Sequence, residues 1–250
     1  MISPEPSHSP QTDEITTLYW IGLVAIVVLA VAINGSLLYA VRRYRSERGA
    51  EPRQIRSAGG IQLRVGAALG VVALALLVLS VIYTERAREA PASGPNGLQA
   101  SRTLLAQRSL ELPSGGAKPL EISATGQQWL WRYDYPNDAF SYYKLVVPVD
   151  TTVALRLLST DVVHSWYVPE LAGKFDAVPG KLNEVFFRAD QEGTYGGESA
   201  TFSGQGYAAM RTEVEVVSPE EYQSFIEQQK REIQSAQDQV VAEIESGNTP

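Results

Sequence analysis

Two long apolar runs near the start of the chain define its first elements. The first begins at Leu18, has no charged residue up to Ile33 and, after a short polar break, continues to Val41. The second, Val65–Tyr83, is nineteen residues long and also lacks charge. A hydrocarbon core about 30 Å thick requires about 20 helical residues. The pattern therefore predicts two membrane-spanning helices, over about residues 17–41 and 65–83.

Arginine is concentrated between the two runs. Residues 42–64 contain seven arginines and two glutamates. Because basic residues near membrane-spanning helices stay on the cytoplasmic side, this loop is predicted to be cytoplasmic, with residues 1–16 and the chain after Tyr83 outside. A cleaved signal peptide is the alternative for the first run. Residues 1–17 carry no Lys or Arg, whereas signal peptides begin with a basic region.

The pattern changes twice after the second run. Residues 84–118 are rich in Pro, Gly, Ala and Ser and are predicted to be a linker. Residues 119–217 contain short β-branched and aromatic runs separated by turn signals, which predicts a small antiparallel β-sandwich. The predicted strands are Leu120–Ala124, Trp129–Tyr135, Tyr143–Val149, Thr152–Leu158, Val162–Val168, Leu182–Ala189 and Thr212–Val217.

The last segment, residues 218–250, begins with Ser218-Pro219-Glu220-Glu221. This is a capping box with proline at the first helical position. Apolar residues then recur at helical spacing, which predicts a helix from Pro219 to about Glu245. The helix carries seven acids against Lys230 and Arg231, so we expect it to pack on the sandwich or on a neighbouring subunit with an acidic face in water.

Composition excludes several kinds of chemistry. The chain has no cysteine, which excludes disulfides, iron–sulfur clusters, thiolate-ligated zinc or copper and a cysteine nucleophile. With 21 basic residues against 28 acidic ones and a pI near 5.0, it has no basic field of the kind that binds nucleic acid.

Three segments of the predicted sandwich carry a recognisable pattern: the aromatic run Ser123–Tyr135, the histidine segment Asp161–Pro169 and Phe175–Asn183. In this order they resemble subunit II of cytochrome c oxidase, a heme-copper oxidase. The resemblance implies a membrane-anchored all-β protein, in which a two-helix transmembrane hairpin precedes a cupredoxin-like Greek-key β-sandwich and a C-terminal helix.

The resemblance also implies where a dinuclear copper centre, CuA, would lie. That centre requires two bridging thiolates, two imidazoles, a thioether and a backbone carbonyl. In this chain, serines stand at both cysteine positions, threonine at the glutamate position and tyrosine at the second histidine position. The six degenerate CuA positions are His164, Ser199, Thr201, Ser203, Tyr207 and Met210. We therefore expect no metal and no other cofactor in this chain.

His164 has two interpretations without a CuA centre. It is expected to be a core histidine hydrogen-bonded to Ser199, to Ser203 or to a water. A mononuclear copper bound by His164 and Met210 is the alternative. Met210 is otherwise expected to fill the core beside Tyr207.

The resemblance also gives roles to residues outside the segment 199–210, which we call the copper loop. Trp129 and Trp131 occupy the motif whose first tryptophan lies on the electron-entry surface of copper-bearing relatives. Here both are expected to serve aromatic packing. The family glutamate also supports a magnesium site; Thr201 lacks that carboxylate, although Asp176 remains nearby.

Loss of the copper ligands resembles quinol-oxidising members of the family. The chain is therefore expected to be the non-catalytic subunit II of a quinol-dependent respiratory oxidoreductase, most simply a quinol:oxygen terminal oxidase. Quinol, haems and copper would then be bound by the large subunit I. The other expected partners are further membrane subunits and the lipid bilayer of the cell inner (plasma) membrane.

Three alternatives remain open. A quinol-dependent nitric oxide reductase fits the absence of glutamate from residues 59–64, where many oxidases place one for proton uptake, unless Glu51 replaces it. A cytochrome c docking subunit fits the thirteen acids and seven basic residues of residues 119–217. A membrane-anchored metallochaperone is the third, although such proteins usually carry His and Met clusters.

Overall fold

The computed structural model describes residues 6–45, 59–89, 91–93, 98 and 118–245. The chain divides into two compact units. One unit, residues 14–86, contains most of the two apolar helices, and the other contains residues 1–13 and 87–250. The central parts of the predicted cytoplasmic loop and of the predicted linker lie outside the described residues.

The two apolar runs form helices that are longer than predicted. Helix α1 is Pro10–Arg43 and helix α2 is Gly59–Arg88. At 34 and 30 residues, both are long and apolar enough to cross a membrane, by length and composition. The polar break does not interrupt α1, because the side chains of Asn34 and Ser36 donate hydrogen bonds to carbonyls of their own helix.

The described part of the predicted N-terminal tail contacts the β-domain. Ser9 caps α1, since its hydroxyl accepts a hydrogen bond from the amide of Thr12 at 3.3 Å. The His8 amide donates to the carbonyl of Glu170, and the Asp190 amide donates to the carbonyl of His8. Residues 6–12 therefore pack against the β-domain, and Ser9 and Thr12 are buried there.

Within the described residues, ten strands form the β-domain, three more than predicted. They are β1 (Leu120–Gln127), β2 (Leu130–Asp134), β3 (Phe140–Tyr142), β4 (Lys144–Pro148), β5 (Thr152–Ser159), β6 (His164–Tyr167), β7 (Lys174–Ala177), β8 (Asn183–Arg188), β9 (Gly193–Ser199) and β10 (Arg211–Val217). Strands β3, β7 and β9 have no counterpart in the predicted set, because they are short or glycine-rich.

The strands form two five-stranded sheets, in the orders β3-β2-β1-β5-β8 and β4-β10-β9-β6-β7. The predicted β-sandwich is confirmed, and its strands pair mainly antiparallel, with two parallel pairs that were not predicted. Strand β1 pairs with β5 in parallel, and β4 pairs with β10 in parallel. Both parallel pairs arise because the chain passes from one sheet to the other between the paired strands.

Buried aromatic side chains hold the two sheets together. Trp166 of β6 stacks on Phe187 of β8 with ring centroids 5.7 Å apart. The indole of Trp166 donates to the hydroxyl of Tyr133 at 3.1 Å, and that hydroxyl lies 2.5 Å from the hydroxyl of Thr212. Burial raises the pKa of Tyr133 well above its usual value, so its hydroxyl stays protonated and can donate.

Helix α3, Pro219–Glu245, matches the predicted C-terminal helix. The predicted capping box is formed. The Ser218 amide donates to the Glu221 carboxylate at 3.0 Å, and the Glu221 amide donates to the Ser218 hydroxyl at 3.2 Å. Buried Tyr222 and half-buried Phe225 then attach the helix to the core beside Tyr135.

The described ends of the predicted linker also belong to the domains beside them. Helix α2 continues through Arg88, and the chain then contacts the β-domain. The Pro91 carbonyl accepts a hydrogen bond from the Thr152 hydroxyl, and the Leu98 amide donates to Thr151 at 2.8 Å. Leu98 packs against the core.

Candidate functional site

The degenerate CuA positions lie at one end of the sandwich, where β6 begins and β9 ends. Residues 199–210, which are the last residue of β9 and the loop that leads to β10, carry five of the six positions and include a short 3-10 turn at Tyr207–Ala209. His164, the first residue of β6, is the sixth.

His164 is fully buried and bonded to one carboxylate. Its Nε2 lies 2.8 Å from Oδ1 of Asp161, a partner that is not among the expected ones, which were Ser199, Ser203 or a water. Its Nδ1 is buried and has no partner among the described protein atoms. The ring packs against Gly126 and Trp131; a Cβ at Gly126 would approach its Cδ2 to 3.0 Å.

Asp161 organises the turn that presents His164. Its carboxylate accepts hydrogen bonds from the amides of Gln128 and Val162, at 2.7 and 2.6 Å. Partial burial alone would raise its pKa, but the hydrogen bonds from His164 and these two amides outweigh it and lower the pKa to about 2. Asp161 is therefore ionised throughout the neutral range.

The two serines at the cysteine positions have different surroundings. Ser199 ends β9, where its hydroxyl accepts a long hydrogen bond of 3.4 Å from the Ser165 amide. The Ser199 amide donates to the Met210 carbonyl at 2.9 Å. The hydroxyl of Ser203 is buried and has no partner among the described protein atoms.

The backbone of Ser203 joins the loop to the turn between β1 and β2. Its carbonyl accepts from the side-chain amide of Gln128 at 2.8 Å and from the indole of Trp129 at 3.1 Å. The Trp129 ring also lies on Gly206, where a Cβ would come within 2.5 Å of the ring. These contacts fix the centre of the loop through its backbone.

The two tryptophans of the aromatic motif differ in exposure. Trp131 is fully buried, whereas Trp129 is 41% exposed. Aromatic packing therefore describes Trp131, with its ring 6.1 Å from that of His164. Trp129 packs on the loop with one side and presents the rest of its ring at the surface.

Tyr207 and Met210 differ in exposure. Tyr207 is 36% exposed and packs against Phe202, the most exposed aromatic side chain of the loop, with ring centroids 5.2 Å apart. Met210 is fully buried and belongs to the core, as expected. Its amide donates to the carbonyl of Tyr207 at 3.0 Å.

Thr201 belongs to a polar cluster at the ends of β6 and β7. The Ser165 hydroxyl lies 2.6 Å from a carboxylate oxygen of Asp176 and 2.5 Å from the Thr201 hydroxyl. The ammonium group of Lys174 lies 3.2 Å from the same Asp176 oxygen. The Ser165 bond first, and Lys174 as well, lower the pKa of Asp176.

The donor set does not fit a CuA centre. Serine hydroxyls do not replace the thiolates that hold and delocalise charge over a copper pair. Magnesium prefers carboxylate and other hard oxygen ligands, and in this cluster the one carboxylate, Asp176, is already paired with Lys174. Within the described ranges, no group of three or more His, Cys, Asp or Glu side chains is placed to hold a metal.

Several residues that build this region lack an assigned role in the sequence interpretation. They are Gln128, Asp161, Ser165 and Lys174. The spacing Asp161-Val162-Val163-His164 is a signal for the Asp161–His164 pair. No comparable local signal exists for Gln128, whose partner Ser203 is 75 residues away along the chain.

Comparison with known proteins gives the family. Residues 140–217 match the family model described as cytochrome c oxidase subunit II, periplasmic domain. Cytochrome c oxidase subunit 2 of Cereibacter sphaeroides is 26% identical over 265 residues, covering 90% of this chain and 78% of that protein. Quinol oxidase subunit 2 of Bacillus cereus is 32% identical over 112 residues, covering 44% of this chain and 38% of that protein.

A solved structure is also similar. The periplasmic domain of cytochrome oxidase subunit II from Bradyrhizobium japonicum is 31% identical and aligns with a TM-score of 0.44, covering 45% of this chain and 94% of that one. The chain belongs to the heme-copper oxidase subunit II family. It is a membrane-anchored protein with an external β-domain, and the complexes of this family are oxidoreductases.

Proposed function

We propose that this chain is the non-catalytic subunit II of a quinol-dependent heme-copper terminal oxidase. It carries no CuA centre and no other redox centre. The observation that carries this proposal is the pair Ser199 and Ser203, which stand where the family has its bridging thiolates. Tyr207, at the second histidine position, is a partly exposed aromatic residue packed on Phe202.

The proposed electron donor follows from the absence of a CuA centre, which would pass electrons inward from the outer face of the complex. A soluble cytochrome c must pass its electron through a centre on the outer face of the complex. A quinol is membrane-soluble and can deliver electrons to a haem in the large subunit without that centre. The relative named quinol oxidase subunit 2 supports this choice.

The chain's role in such a complex is structural. The β-domain covers the outer face of the large subunit, and helices α1 and α2 attach it to the bilayer. Haems, copper and quinol are bound by subunit I, and further membrane subunits complete the assembly. The copper loop keeps a packed structure without a metal, because Trp129 donates to the Ser203 carbonyl and its ring lies on Gly206.

The test is gas consumption by the purified membrane complex. Reduced quinol is supplied as the only donor, and a parallel reaction contains reduced cytochrome c. Rapid oxygen uptake with quinol alone supports the proposal. Turnover with cytochrome c overturns it and favours the docking alternative. Loss of nitric oxide without oxygen uptake overturns it in favour of a nitric oxide reductase.

A further inference from the structure

Helix α3 extends beyond its contact with the β-domain. Tyr222 is buried, and Phe225 lies 5.5 Å from Tyr135 between ring centroids, so the first two turns are part of the core. In contrast, every residue from Gln234 to Glu245 is exposed. At 1.5 Å per residue, this end is about 18 Å of helix.

The apolar face of α3 continues along this exposed end. Tyr222 is buried and Ile226 packs against the core of the β-domain. Ile233, Val240 and Ile244 follow at spacings that place them on the same face of the helix. Val240 and Ile244 are 54% and 60% exposed. A contiguous apolar stripe in water is typical of an interaction site.

The charge of this end indicates what kind of partner covers it. From residue 232 to the end of the chain there are four acids, Glu232, Asp238, Glu243 and Glu245, and no Lys or Arg. Acidic groups near a helix C-terminus oppose its macrodipole, and the last turn of α3 has no basic residue. Glu232 and Glu243 flank the apolar stripe, whereas Asp238 lies on the opposite face.

This charge disfavours two possible occupants. A second copy of the chain would bring the same acids together, which costs free energy in either orientation. An anionic lipid surface would also repel the helix end. A cationic partner would neutralise the flanking acids and improve the charge at the helix end.

We propose that the exposed end of α3, residues 234–245, docks on a cationic amphipathic helix of another protein in the same membrane complex. The apolar face of that helix covers Val240 and Ile244, and its Lys or Arg side chains pair with Glu232 and Glu243. The inference rests on the proposed function, because that function supplies the multi-subunit complex from which the partner comes.

The test is photo-crosslinking in the purified complex. Val240 is replaced by p-benzoylphenylalanine, with Ser235 on the opposite face replaced as a matched control, and the adducts are mapped by mass spectrometry. The expected adduct joins position 240 to a segment of another subunit that has basic residues three or four positions apart beside apolar ones. Position 235 gives no such adduct.

A charge reversal tests the proposed pairing of Glu232 and Glu243 with basic side chains of the partner. Glu232→Lys with Glu243→Lys is expected to lower the adduct yield about tenfold, the ratio that corresponds to 1.4 kcal/mol. Asp238→Lys, on the opposite face, leaves the yield unchanged. An adduct with lipid, with a second copy or with an acidic segment overturns the inference, as does equal loss in both charge variants or no adduct.

Oxygen uptake on the same preparation separates this inference from the proposed function. A complex that oxidises quinol but gives no adduct at position 240 overturns the docking surface alone. A complex that uses cytochrome c and gives the expected adduct overturns the quinol proposal alone. Isolation of the chain without any other protein overturns both.

Discussion

Two neighbouring glycines in β9 have opposite steric surroundings. A Cβ at Gly197 would lie 2.6 Å from a methyl group of Val168 and 2.7 Å from the carbonyl oxygen of Tyr167, whereas a Cβ at Gly196 would meet nothing within 4 Å. Gly197 thus permits close approach of β9 to the strand and turn beside it. Gly196 imposes no such requirement.

We therefore expect Gly197→Ala to destabilise the protein by about 1–3 kcal/mol, because the backbone carbonyl of Tyr167 cannot move away easily. Gly196→Ala is the matched control and is expected to change stability by less than about 1 kcal/mol. The measurement is urea unfolding of the detergent-solubilised chain. Equal midpoints for the two variants would contradict the packing of β9 described above.

The Asp161–His164 pair makes a second prediction, on pH dependence. The folded-state pKa of Asp161, about 2, lies below the unfolded value of about 3.9. Its bonds therefore stabilise the fold fully above about pH 4, and this contribution is lost as the pH falls towards 2. Asp161→Asn is expected to cost about 1–2 kcal/mol at pH 7, reduced by the partial exposure of the carboxylate.

The deficit of Asp161→Asn relative to the native chain should shrink between pH 5 and pH 2, since the native carboxyl becomes protonated there. Thermal unfolding of both proteins at a series of pH values measures this. Asp138→Asn serves as a control at another acidic surface position. A deficit that stays constant down to pH 2 would show that the charge of Asp161 does not act as described.

At the scale of single residues, the sequence predicts which residues share a loop better than it predicts which side chains form hydrogen bonds. The copper-loop register placed Ser199, Ser203, Tyr207 and Met210 on one loop, because it depends only on sequence spacing. The acceptor that lies beside Nε2 of His164 was not among the predicted partners, since a buried imidazole takes whichever acceptor the local turn presents. That acceptor is Asp161, three residues earlier in the chain.

At the scale of elements, the loop Ser199–Met210 permits a direct test of its register. The combined substitutions Ser199→Cys, Thr201→Glu, Ser203→Cys and Tyr207→His would restore the family's donor types. We expect the resulting chain to bind copper and turn purple, because two thiolates can then bridge a copper pair beside His164 and Met210.

The matched control carries only Thr201→Glu and Tyr207→His. It lacks thiolates and is expected to remain colourless when copper is added. Visible absorption and the copper content of the separated chain are the measurements, with circular dichroism to verify folding. A folded quadruple variant without colour would mean that the loop is not in the register assigned here.

Helix α3 was predicted more accurately than strand β9 for a physical reason. Helix α3 carries its own boundary signals in the capping box, so Pro219–Glu245 was correctly predicted. Strand β9 is Gly193–Ser199, with three glycines and little β propensity. It is a strand because β10 and β6 pair with it on both sides, and this tertiary requirement leaves no local signal.

At the scale of the whole molecule, orientation in the membrane is the property that assigns the β-domain to the outer side. The chain has no cysteine, so single-cysteine variants can be labelled without background. Two exposed positions suit this test: Tyr44, just after α1, and Gln228, in α3. They are predicted to lie on opposite sides of the membrane, and each is replaced by cysteine in turn.

In right-side-out spheroplasts, a membrane-impermeant maleimide is expected to label Gln228→Cys and not Tyr44→Cys. The physical reason is the seven arginines of residues 42–64, which keep that loop on the cytoplasmic side. In inverted vesicles the pattern should reverse, and detergent should make both sites reactive. Labelling of Tyr44→Cys in intact spheroplasts would place the arginine-rich loop outside, and the β-domain could then not cover the outer face of an oxidase.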